Sequence, residues 1–172
     1  MFNPSSVVIE AFLVELRLKY SNLFGDNTDN TQLLNSAARN ALEIIANSDA
    51  PYHDMNHTIM VTMVGTEILG GKFLVEGSIN ERDWIHFVIS LLHHDIGYVR
   101  GICQADCSGR YAINDDDETI SLAPGATDAA LTPFHVDRAQ LYIRERFQRD
   151  DRVDVDIICS NTSSFDCFYT CR

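Results

Sequence analysis

The most apolar stretch of this 172-residue chain, Trp84-Ile85-His86-Phe87-Val88-Ile89-Ser90-Leu91-Leu92, runs directly into His93-His94-Asp95-Ile96-Gly97-Tyr98. A segment of helical length with large side chains on every face belongs at the centre of a domain, not on its surface. Ser78-Ile79-Asn80-Glu81 ahead of it has the form of a capping box, with Ser78 at the N-cap and the glutamate three residues on. A buried helix that ends in two imidazoles and a carboxylate raises the question of what those groups meet.

The rest of the chain supplies the layer such a helix needs. Val8, Phe12 and Leu16 repeat at helical spacing behind Asn3-Pro4-Ser5, and Leu34, Ala38, Leu42 and Ile45 form a second stripe. A third helix is expected from near His53, fraying or kinking at Gly70-Gly71. Another follows Thr132-Pro133, read as N-cap and first helical residue, with Val136, Ala139, Ile143 and Phe147 on its buried side. The last piece starts as a helix and loses its pattern after Cys159, leaving an irregular tail over 160–172. Between Gly101 and Leu131 the periodicity collapses, which predicts a long loop with at most a short helix and, at that length, a role in function or motion. The βα alternation of a parallel sheet is absent. The expectation is an all-α chain in which residues 1–172 form a single helical-bundle domain with a long loop near 101–131.

Composition narrows the partners. Apolar residues make up 45 % and charged residues 22 %, enough for a single core, and the net charge is −12. Such a balance repels nucleic-acid polymers and anionic membranes, yet admits a small anionic substrate held through a cation. Five cysteines, no basic secretory leader and no apolar run of transmembrane length point to the cytoplasm. Cys103/Cys107 and Cys167/Cys171 lack the two-residue spacing of zinc knuckles and read as ordinary thiols.

Two motifs carry chemistry. In Pro51-Tyr52-His53-Asp54-Met55-Asn56-His57 the histidines stand at i and i+4, on one helix face, and His94-Asp95 closes the central helix. Imidazole nitrogen with carboxylate oxygen is a ligand set for a first-row divalent ion, and groups too costly to bury singly satisfy one another around a cation. Either motif alone would pass for a solvated face or a hydrogen-bonded core histidine. His53-Asp54-Met55-Asn56-His57 also approximates the zinc-protease pattern H-E-x-x-H, but its aspartate is one methylene short and His94-Asp95 would have no role.

At these residues the chain resembles the HD-domain superfamily of metal-dependent phosphohydrolases, in the version shared with cyclic-nucleotide phosphodiesterases. There a Y-H-N-x-x-H stretch precedes an H-D pair; here Tyr52 to His57 precede His94-Asp95, with His57 and His94 37 residues apart. The likeness spans roughly residues 30–160. It implies His57, His94 and Asp95 as metal ligands for Mn, Fe, Ni, Mg or Zn, and His53 as the general acid or a holder of a second ion. Asp54, where Asn is usual, would orient His53. His135 would be either a ligand to a second ion or a helix-terminal residue packed beside Phe134; Arg138 would meet substrate phosphate or pair with Asp137 or Glu145. His86 and His93 read as structural.

The superfamily's last aspartate ligand has no match in context, so the resemblance implies a chain truncated at its C-terminus, with Asp154 and Asp156 as fallback ligands. The function implied is hydrolysis of a small phosphate mono- or diester, plausibly a nucleotide, by metal-activated water. The alternative is a degenerate scaffold that binds a nucleotide or a partner without turnover. A di-iron oxygenase, a third reading, would require His135 and further ligands.

Overall fold

In the computed structural model, residues 3–166 are described, and they form an essentially all-α fold. The helices are α1 (Pro4–Phe24), α2 (Thr28–Ile45), α3 (Met55–Glu76), α4 (Glu81–His93), α5 (His135–Phe147) and α6 (Val155–Asp166). Cys167 and Cys171 of the expected tail lie outside the described residues.

Helix α4 is the central element: every residue from Trp84 to His93 except Phe87 is buried. It contacts α2, α3 and α6, while α5 packs on α6 and on the 3₁₀ turn Ile96–Tyr98 that follows α4. Tyr20 and Phe24 of α1 meet Trp84 ring to ring at 5.8 and 5.9 Å, which anchors α1 to the start of α4.

Helix boundaries follow the side chains that satisfy the first free N–H groups. Asn80, not Ser78, caps α4 by accepting from the Asp83 amide at 3.1 Å, so the helix begins at Glu81, two residues later than a cap at Ser78 would place it. Asp54 caps α3 by accepting from the His57 amide at 2.9 Å. The helix therefore starts at Met55, and His53 stands before it rather than on it. Gly70 and Gly71 lie inside α3, which ends at Gly77 in the left-handed conformation that glycine favours. Pro133 sits within a 3₁₀ stretch, Asp128–Phe134, and α5 starts at His135.

The interval 101–131 is more ordered than the sequence suggests. Arg110–Ala112 (β1) pairs antiparallel with Thr119–Ser121 (β2). Arg138 of α5 holds this segment from beneath. Its Nε donates to the Gly97 carbonyl at 2.8 Å and its Nη2 to the Val99 carbonyl at 2.9 Å, and Nη1 also donates to the Ala112 carbonyl. Asp106 accepts from both Nη atoms, at 3.1 and 3.0 Å. All five guanidinium N–H groups are used inside the protein, so Arg138 is a clamp on the segment and neither a phosphate contact nor a partner of Asp137 or Glu145. At the other end, Arg100 pairs with Asp128 and reaches Asp49 at 3.1 Å, tying the entry to the 3₁₀ stretch to the loop after α2.

Helix α6 continues to Asp166, past the expected loss of pattern at Cys159. Thr162, Ser163 and Ser164 donate back to their own helix, to the carbonyls of Ile158, Cys159 and Ser160 at 2.9, 3.1 and 3.0 Å. Cys103, Cys107 and Cys159 are free thiols.

Candidate metal centre

The chain leaves α4 at His94 and turns at Asp95, whose φ of −102° and ψ of 2° fall between helix and strand. That turn swings the Asp95 carboxylate back toward the start of α3, where it is 3 % exposed. Three imidazoles meet one of its oxygens. His53 Nδ1 lies 2.9 Å, His94 Nε2 3.1 Å and His57 Nε2 3.4 Å from Asp95 Oδ2. The two Nε2 atoms are themselves 3.4 Å apart.

His57 Nε2, His94 Nε2 and Asp95 Oδ2 thus form a triangle with edges of 3.1 to 3.4 Å. Ligands bonded at about 2.1 Å stand about 3.0 Å apart at octahedral angles and about 3.4 Å apart at tetrahedral ones, which is the size of this triangle. The ligand atoms offered by His53, His57 and Asp95 all lie within 4.8 Å of one another, so this group could also hold a metal ion.

The proton inventory is met by a proton or by a cation between His94 and Asp95. His94 Nδ1 faces the Leu91 carbonyl at 2.7 Å and must donate to it. In the neutral ring this turns the Nε2 lone pair toward Asp95, acceptor against acceptor, unless a proton or a metal lies between. Burial pushes the His57 pKa down against the pull of Asp95, which keeps that ring in its neutral, ligating form. Burial also opposes ionisation of Asp95, but hydrogen bonds from His53 and His94 outweigh it and hold the carboxyl well below the usual range.

Beside this cluster, His53 and His135 both stack on Tyr98, with centroids 4.2 and 4.4 Å from it. His135 is buried, its Nδ1 donates to the Thr132 carbonyl at 2.7 Å, and its ring centre is 6.5 Å from that of His53. Tyr98 had no role assigned from sequence; its place four residues after His94, in a 3₁₀ turn, was the available signal. His53 is oriented by Asp95, whereas Asp54, expected to do so, is occupied as the α3 cap.

The fallback ligands fall elsewhere. Asp154 accepts from the Asp156 and Ile157 amides as the entry to α6, and its own amide donates to His86 Nε2 at 2.9 Å. His86 precedes His94 by two turns of α4, about 12 Å along the axis. Asp156 is exposed and paired with Arg144 at 2.7 Å. His86 and His93 are fully buried and point elsewhere: His93 Nδ1 donates to the Ile89 carbonyl at 2.8 Å, and burial lowers its pKa to about 4.

The fold and this site define an essentially all-α protein with a His/Asp group that could hold a metal ion. The profile of the Npun_R2479-like family matches residues 2–165, and the chain belongs to that family. Neither the curated proteins nor the solved structures give a match.

Proposed function

We propose that the chain is an HD-type metal-dependent phosphohydrolase acting on a small phosphate ester. The observation that supports this reading is the convergence of three imidazole nitrogens on Asp95 Oδ2 within 3.4 Å, at the spacing a divalent ion requires. His57, His94 and Asp95 would hold the ion. When bound, it supplies Lewis acidity at the phosphoryl group and acidifies water.

The chain's own residues do the rest. Asp95 accepts from His53 Nδ1–H and fixes the ring's orientation, so a proton carried on His53 Nε2 is the one given to the departing oxygen. The His53 side chain is 35 % exposed, which leaves it open to an incoming ester, while Asp95 at 4 % is screened from water. Tyr98 stacks against the His53 ring and limits its rotation, so the donor nitrogen keeps one direction.

A binding scaffold without turnover is the second reading. It is favoured by the position of Asp154 and Asp156, which leaves no later carboxylate at the cluster among the described residues. An assay of p-nitrophenyl phosphate, bis-p-nitrophenyl phosphate and nucleotides with added manganese, nickel or magnesium separates the two. Hydrolysis by the wild type that disappears in His94→Ala supports the hydrolase. Metal bound by the wild type with no turnover of any ester would leave the scaffold.

A further inference from the structure

Helix α3 is built inside out. Its core-facing residues are Met55, Thr58, Thr62, Gly65 and Thr66, and each threonine hydroxyl donates to a carbonyl of the same stretch. Five of its large aliphatic side chains face away, Met60, Val64, Ile68, Leu74 and Val75 being 55 to 87 % exposed, while Ile59, Met63 and Leu69 pack against the core. His57, Val64, Ile68 and Val75 follow one another at 7, 4 and 7 residues, within about 20° of a single line along the helix. An 18-residue window within Met55–Glu76 reaches a mean hydropathy of 1.4, so the helix is long and apolar enough to cross a membrane by length and composition, against the expectation of no such run.

We propose that this outward stripe of α3 is the interface of a homodimer. A contiguous apolar surface of this size marks a binding face. Met60 lies about 60° and Leu74 about 100° from that line, so two copies approach the roughly 1,000 Å² that a specific pair must bury when the residues flanking the stripe join the contact. Charge selects a second copy over other occupants. Glu67 is tied to Lys19 of α1, and Lys72 to Glu76 at 2.7 Å, so the stripe presents no unbalanced charge to a basic or acidic partner. In a chain of net charge −12 it is a face on which two copies meet without unpaired like charges opposed in the contact. A lipid surface fits poorly: helices that lie on membranes carry a Lys/Arg-rich polar face, and Lys72 is the one lysine or arginine of α3. Crossing a bilayer would pull His57 away from Asp95. Beside the stripe, Leu69, Lys72 and Glu76 of α3 line a hollow of about 380 Å³ with Asp83, Trp84 and Phe87, which offers room for a side chain of the second copy.

Sedimentation equilibrium of the full chain from about 1 to 100 µM tests this, a range that reaches the weaker association of interfaces at the small end of the scale. The expected result is a dimer that becomes monomeric in Val64→Glu/Ile68→Glu, with its dissociation constant raised at least about a hundredfold and an unchanged helical circular-dichroism spectrum. Val14→Glu, on the outer face of α1, should remain dimeric. If the double glutamate variant fails to fold, Val64→Ser/Ile68→Ser takes its place, with the same expectation of dissociation. A wild type that stays monomeric at every concentration overturns the proposal. So does a dimer indifferent to the α3 substitutions, or a monomer that floats with neutral phosphatidylcholine vesicles.

Discussion

Asp95 carries the account at the scale of single residues, because one of its oxygens is shared by three rings. His53 is the ring whose role differs from the others. His53→Ala should retain metal while phosphoester turnover falls by roughly 10²- to 10⁴-fold, the usual contribution of a general acid; metal analysis and initial rates on the same preparation check both halves. His93, next in sequence to the cluster, does different work. It is neutral in the fold, with a pKa near 4, and unfolding restores an ordinary imidazole near 6.5. Between those values the unfolded state binds the extra proton, so stability falls as pH drops through that window and is unaffected above it. The difference corresponds to about 3 kcal/mol. Urea unfolding of the metal-free protein at pH 7 and pH 4.5 should show the loss, and His93→Leu should show far less of it. An identical pH dependence in both proteins would refute the assignment.

At the scale of elements, the sequence exposed what was governed by burial and hid what was governed by polar side chains. Helix α4 is legible because nothing but a buried helix accommodates Trp84 to Leu92. The His/Asp ligands were legible as types and spacing, but not the Asp54 cap that moves His53 off the helix. The end of α6 was hidden because its Ser and Thr hydroxyls turn back onto the helix, so a polar run persists as helix. The β1–β2 pair was hidden because three-residue strands are too short to show alternation. Arg138 was legible as a charge but not as a clamp, since its partners, Gly97, Val99, Asp106 and Ala112, lie 26 to 41 residues away. Arg138→Met strands the buried Asp106 carboxylate and should destabilise by about 3 to 5 kcal/mol in denaturant melts. Gly97 sits where a β-carbon would strike the backbone of His135 and Ala139, so Gly97→Ala must push the turn off α5. Its expected effect is about 3 kcal/mol or more, with loss of metal affinity, because Tyr98 and His135 move with it. A variant as stable as the wild type would contradict the packing described.

For the whole molecule, the cluster joins the loop ahead of α3 to the end of α4, two places that approach each other only in the folded chain. A bound ion therefore links metal affinity to global stability. At about one hundred times its dissociation constant the ion should add about 2.7 kcal/mol, which for a chain of this length raises Tm by roughly 5 to 10 °C. A chelator should reverse the shift, and Asp95→Ala should not respond to either. The most direct test is metal stoichiometry by inductively coupled plasma mass spectrometry, after equilibration with manganese, iron, nickel or zinc and removal of free ion. About one ion per chain is expected in the wild type, as one four-residue cluster implies, and none in Asp95→Ala. Equal metal in the two proteins, or none in either, would contradict it.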